Sequence, residues 1–374
     1  MSRRPRAADL EAEETPPEAD RLGGAPHPRF TDELFGQTAA EHELAGALAS
    51  GRMHHAWLLT GREGIGKATL AYRFARTALA TPAERDLIAE GTLAVPPEAI
   101  VSKQVRALSH PGLILIRRPW SRENKRLATV ITVDEVRRLK GFLQHSAGEG
   151  AYRVVILDRA EEMNTAAANA LLKSLEEPPV RTVFLLVSSE PGRLLPTIHS
   201  RCRRLELKRL GEADLLSAIA AAGAATPDQA KAALISTLAD GSVRRALELL
   251  SGGAVDLHGK MVALLAQLPR ADFEAVHKLA ETVGAHGADQ EFQSFFALLS
   301  DVIARSLRAA ATGAAASPAE AAFASKLAAA GGGQRAAWAG TWEAIAREKA
   351  DAMALNLDRK ALIVDVFRRL QSLG

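Results

Sequence analysis

The chain has 374 residues, 47% hydrophobic and 24% charged, with a formal net charge of +3. That length exceeds one ordinary core and predicts two or three domains, and no apolar run is long enough to span a bilayer. A single cysteine, Cys202, excludes an internal disulfide framework and a multi-cysteine zinc site.

Residues 1–28, opening MSRRPRAADLEAEETPPEAD, are rich in Pro, Glu, Arg and Ala and short of large apolar side chains, which predicts a disordered tail. They lack an apolar h-region, so no secretory signal is expected; with the lone cysteine this points to the cytoplasm. From 29 to 207 short apolar runs alternate with helical stretches. Strands are expected at 56–60, 113–116, 153–157 and 182–187, and helices at 38–49, 67–80, 134–144 and 165–176, the last stopped by Pro178-Pro179. Such alternation predicts a mostly parallel sheet covered on both faces. Beyond Leu207 the strand signal fades. Residues 208–253 read as a small helical domain, with EADLLSAIAAA and SVRRALELL its clearest stretches and Gly252-Gly253 its end. Residues 254–374 read as helices, among them 291–311 and 357–370, with the alanine-rich 309–316 as a helix end or a loop. The expected fold class is α/β plus all-α.

The stretch GREGIGKAT, residues 61–69, has the spacing of a phosphate-binding loop. Such loops hold an anion with backbone N–H groups and a helix N-terminus, while a lysine reaches the terminal phosphates. Gly61, Gly64, Gly66 and Lys67 supply those parts, between an apolar strand and a helix. Ala68 stands where magnesium needs a hydroxyl. Thr69 does not simply replace it, because one residue along a helix turns a side chain by about 100°. Asp158, ending the apolar run RVVIL, is placed as the metal-proximal carboxylate. The next residue is Arg159, which stays protonated and cannot serve as a base for water. Glu161 and Glu162 lie further on and need a different backbone path to reach it.

Three segments extend the pattern: HHAWLLTGREGIGKATLAYRFAR (54–76), ITVDEVRRLKGFLQHSAGEGAYRVVILDRAEEMNTAAANALLKSLEEPP (131–179) and FLLVSSEPGRLLPTIHSRCRRLEL (184–207). With GSVRRALELL (241–250), the chain resembles the delta-prime family of bacterial DNA polymerase III clamp-loader subunits, within the AAA+ superfamily. The resemblance spans roughly the first 250 residues. It implies an AAA+ P-loop domain with a parallel sheet over 29–207, a helical lid over 208–253 and a C-terminal helical collar over 254–374. It also implies that Arg201, in Ser200-Arg201-Cys202, is an arginine finger reaching a neighbour's ATP, and that Arg244 matches a sensor arginine. Ser188-Ser189 takes the place of a polar sensor. ATP is a possible ligand, held weakly or without hydrolysis near Gly61, Gly64, Gly66, Lys67, Ala68, Thr69 and Asp158. The implied partners are the gamma/tau ATPase subunits, the delta subunit, the sliding clamp and primer–template DNA, with no membrane. Relatives carry a four-cysteine zinc module after the first helix; residues 80–110 contain no cysteine, so no zinc and no other metal site is expected. Cys202 is then a packing residue.

Three other readings stay open. A working ATPase of the same family would keep Lys67 and Asp158 in service. A small-molecule P-loop kinase would need an acceptor pocket, which no constellation supplies. A plain DNA-binding protein would use the clusters at Arg117-Arg118, 122–126, Arg137-Arg138 and 201–204, which otherwise are solvated faces.

Overall fold

Five short apolar segments build one parallel sheet: β1 (Ala56–Thr60), β2 (Leu113–Ile116), β5 (Arg153–Leu157), β6 (Thr182–Ser188) and β7 (Arg203–Glu206), in the order β2-β5-β6-β1-β7. The structure, a computed structural model, describes residues 18–22, 25–121, 123, 125–144, 151–251, 253–313, 317–318, 320–355 and 358–373. Every residue of β1 and β6 is buried. These are the central strands, with Ala56 opposite Phe184 and Thr60 opposite Ser188, so their continuous apolar runs face helices on both sides. The four strands expected from sequence are present. The fifth, β7, escaped notice because it is an edge strand: of Arg-Arg-Leu-Glu only Leu205 is buried, and Arg203 lies 4.8 Å over the Trp57 ring. A two-residue hairpin, β3 (Trp120–Ser121) with β4 (Arg126–Leu127), was also not anticipated.

Helices α1 (Thr38–Ala49), α2 (Lys67–Leu79), α3 (Pro82–Arg85), α4 (Ile100–Arg106), α5 (Val133–Gln144) and α6 (Thr165–Glu176) connect the strands. Asn164 caps α6 by accepting from the Ala167 N–H at 2.8 Å, and Leu171 and Leu175 turn into the core beneath the sheet. Helix α2 is buried almost all round, its Arg73 and Arg76 included, because Glu41 pairs with Arg73 and Asp32 with Arg76 at 2.9 Å.

The expectation of a disordered tail over 1–28 is corrected for its described part. Residues 18–22 and 25–28 pack on the domain: His27 is fully buried, and its Nε2 lies 2.9 Å from Asp20 Oδ2. Arg117, just after β2, pairs with Asp20 and with Glu18 at 2.7 Å. Charge complementarity here replaces the apolar content whose scarcity suggested disorder. Residues 1–17 and 23–24 lie outside the described residues.

After α7 (Pro196–His199) and β7 come α8 (Glu212–Ala221), α9 (Gln229–Ala239) and α10 (Val243–Ser251). The chain divides into two compact units, Met1–Leu247 and Glu248–Gly374, at a point within α10 and a few residues ahead of the Gly252-Gly253 boundary read from sequence. The small helical region therefore belongs to the same unit as the sheet. The second unit is helical: α11 (Ala254–Gln267), α12 (Phe273–Val283), α13 (Asp289–Thr312), α14 (Ala321–Ala329), α15 (Gly332–Leu355) and α16 (Arg359–Leu373). Phe292, Phe295, Phe296 and Phe367 form its aromatic core, Phe292 and Phe296 edge to face with centroids 4.9 Å apart. The run 309–316 ends α13 at Thr312, where Gly313 takes a left-handed cap; residues 314–316 lie outside the described residues. Among the described residues no single helix is long and apolar enough to cross a membrane.

Candidate functional site

The loop 61–66 joins the C-terminal end of β1 to the first turn of α2, where open parallel sheets place their ligands. Gly66 caps α2 at φ 102°, a left-handed conformation that suits glycine. Gly64, at φ 76°, is bare for a second reason: a Cβ there would fall 2.5 Å from both Arg244 Cβ and Ser242 Oγ. The small helical region thus touches the loop directly.

Lys67 opens α2 and is buried. Its Nζ donates to the Gly61 and Arg62 carbonyls at 2.7 and 2.5 Å, and to Ser189 Oγ at 2.9 Å. Burial pushes its ammonium down to about 8, against the pull of Glu161 and Asp158. Asp158 follows β5 and is 6% exposed; burial, aided by the charge of Asp20, pushes its carboxyl up to about 7. Ser189, just after β6, accepts from the lysine through its Oγ and gives its own N–H to Glu161 Oε1 at 3.0 Å. Of the pair Ser188-Ser189, it is Ser189 that meets Lys67.

Ala68 and Thr69 line one cavity with Lys67, Asp158, Arg159 and Arg244, while Leu34, Leu210 and Leu247 give it an apolar wall. The loop and Lys67 fit a phosphate anion, and the apolar wall fits a base. The metal end does not fit. Ala68 brings a methyl group, and Asp158 is held toward its neutral form. Arg159 adopts φ 50° and pairs with Glu63 and, at 3.3 Å, with Glu162. Glu162 is also met by Arg118 at 2.7 Å. No carboxylate follows Asp158 in the place where a hydrolytic water would be prepared.

Arg201 is elsewhere. It follows α7, off the cavity lining, with its side chain 32% exposed. Its guanidinium reaches Glu176 at 2.6 Å and the Thr197 carbonyl at 2.9 Å. Neighbouring Cys202 packs against the core under the sheet, and burial pushes its thiol up to about 12, far from a nucleophile's range. Arg244 does line the cavity, 3.3 Å from Glu63. So the structure gathers Gly64, Gly66, Lys67, Ala68, Thr69, Asp158 and Arg244, adds Gly61 through its carbonyl, and leaves Arg201 apart.

Sequence reasoning missed Glu63, Ser242 and Asp20. Glu63 occupies a variable position of the loop pattern, so no spacing marks it. Ser242 carried a readable signal as a cap ahead of VRRALELL; its Oγ accepts from Arg245 N–H at 3.2 Å.

A family model described as DNA polymerase III, delta subunit, matches residues 36–211. The DNA polymerase III subunit delta' of Pseudomonas aeruginosa is 40% identical over 213 residues, which cover 56% of this chain and 57% of that protein. The gamma/tau subunit of Mycobacterium tuberculosis is 29% identical over 265 residues, 68% of this chain and 42% of that protein. The chain thus spans about half the length of these curated relatives. Among solved structures, a DNA polymerase III gamma subunit-related protein from Thermotoga maritima aligns over 88% of this chain and 99% of its own, with 19% identity and a TM-score of 0.38.

Proposed function

From the match over residues 36–211 and the 40% identity to a subunit delta', we propose that the chain is a member of the delta-prime family of DNA polymerase III clamp-loader subunits that hydrolyses little or no ATP itself. It completes the ATP site of a neighbouring gamma/tau subunit with Arg201 while the sliding clamp is loaded onto primed DNA. The supporting observation is the contrast between two places in one domain. The cavity keeps a phosphate cradle but carries Ala68 and Arg159, whereas Arg201 lies outside that cavity and partly exposed.

The chemistry follows from the guanidinium. It is planar, permanently charged and able to give parallel N–H donors to phosphoryl oxygens, so it stabilises negative charge that grows as the phosphoryl group transfers. In the free chain Glu176 and the Thr197 carbonyl hold it; in the assembly it exchanges Glu176 for a neighbour's phosphate. Helices over 254–374 act as the collar for assembly, with the delta subunit and primer–template DNA as further partners, in the cytoplasm. Any ATP at the chain's own cavity is held by the loop and Lys67, without a magnesium set.

A motor reading draws on Thr69, which lines the same cavity as Ala68. Turnover by the purified full chain separates the two. With ATP and magnesium we expect hydrolysis no faster than in Lys67→Ala. Stoichiometric turnover that Lys67→Ala abolishes would establish the motor instead.

A further inference from the structure

We infer that Glu63 is a built-in anion, which draws the helical lid onto the phosphate loop and competes with phosphate for the site's cations. The inference rests on the reading of this cavity as a nucleotide site and concerns how that site is regulated. One carboxylate oxygen, Glu63 Oε1, is met by two guanidinium groups from different elements: Arg159, just after β5, and Arg244, in the first turn of α10, at 3.3 Å. Its charge also acts on buried Lys67. Of the three cations that an incoming triphosphate would engage, two already pair with this carboxylate and the third lies within its field.

The backbone around Glu63 is tied to the lid as well. Ser242 Oγ donates to the Glu63 carbonyl at 2.8 Å, and the Val243 N–H donates to the Gly64 carbonyl at 2.8 Å. Gly64, lacking a Cβ, lets Arg244 close to contact. Next along the loop, Arg62 pairs with Asp240, which Arg209 also holds at 2.6 Å. The lid is thus seated on the loop by hydrogen bonds and ion pairs of the chain itself.

Arg159 gains a purpose in this scheme. The residue that removes a base from the position after Asp158 supplies half of the cation pair around Glu63. The missing base and the pairing that draws the lid onto the loop then share one residue. A ligand must break the Glu63 pairs before its phosphates reach the arginines, so apparent affinity falls by the fraction of molecules in the open form. Glu63 and both arginines are partly exposed, and such pairs are individually weak. The expected effect is accordingly modest, roughly three- to ten-fold.

The test compares full-length wild type, Glu63→Gln, Glu63→Asp and Glu63→Gln/Arg244→Ala, using calorimetry with ATP and with inorganic tripolyphosphate, both without magnesium. Amide exchange at Val243 is followed in parallel. Glu63→Gln is expected to bind both anions roughly three- to ten-fold more tightly than wild type. Its Val243 amide should exchange faster in the absence of ligand and regain protection when tripolyphosphate binds. Glu63→Asp should stay near wild type, and the double variant should lose the gain. Mere damage to the loop would lower affinity, so the sign of the change is diagnostic. Unchanged or weaker anion binding in Glu63→Gln, or unchanged Val243 exchange, overturns the inference. ATP hydrolysis by the wild-type chain would count against the proposed function while leaving these contrasts readable.

Discussion

Arg201→Ala is expected to abolish one nucleotide site's share of DNA-stimulated ATP turnover in the reconstituted clamp loader, slowing that site by about 10³-fold or more. Single-turnover hydrolysis by the assembled complex reads this as the loss of one kinetic phase. The expectation follows from where Arg201 sits. Its side chain is 32% exposed and its ion pair with Glu176 is also open to solvent, so the substitution costs the fold no more than about 1 kcal/mol. Loss of turnover would then reflect missing chemistry rather than an unfolded subunit. Arg201→Lys should not restore the phase, because an ammonium lacks the planar fork of donors. Glu176→Ala should preserve it, since that carboxylate only holds the guanidinium before assembly. A complex of Arg201→Ala with all phases intact would refute the assignment.

Asp158→Asn is expected to stabilise the free protein, by about 1–3 kcal/mol at pH 8. In the native chain burial holds the Asp158 carboxyl near 7, whereas an unfolded aspartate titrates near 3.9. Between those values the native state binds more protons than the unfolded state. Stability contributed by this group is therefore complete below about pH 4 and is lost as pH rises through 7. Asparagine keeps the shape and carries no charge, so its advantage should widen from about pH 4 and level off above 7. Thermal unfolding of both proteins from pH 5 to 8 measures the difference. An advantage that is constant with pH, or a loss at pH 8, would show that the Asp158 charge is better compensated than its burial beside Asp20, Glu161 and Glu162 implies. In an enzyme that used Asp158 on a metal, that destabilising charge would be neutralised by the ion. Here nothing at Ala68 helps to hold one.

How far the sequence revealed this site depended on which interactions were local. The strand-loop-helix geometry at 61–66 was legible because its glycines, its lysine and the flanking strand and helix lie within about two dozen consecutive residues. The buried strands were legible because central parallel strands need continuous apolar runs. Edge strand β7 was not, because Arg203, Arg204 and Glu206 face solvent and leave only Leu205 as a signal. The N-terminal segment misled for a related reason. Its few apolar residues suggested disorder, yet Asp20 and His27 are held by Arg117, about ninety residues away, and no local pattern announces such a partner. Glu63 was invisible on the same ground, since its importance comes from Arg159 and Arg244. Long-range charge pairing, rather than hydrophobic periodicity, accounts for most of what had to be seen in three dimensions.

The most direct measurement is the position of the Arg201 guanidinium in a structure of the whole clamp loader bound to a non-hydrolysable ATP analogue and primed DNA. The guanidinium is expected to have left Glu176 and to lie within hydrogen-bonding distance of the terminal phosphate in an adjoining gamma/tau subunit. A guanidinium still paired with Glu176 and turned from every neighbouring nucleotide would contradict this expectation.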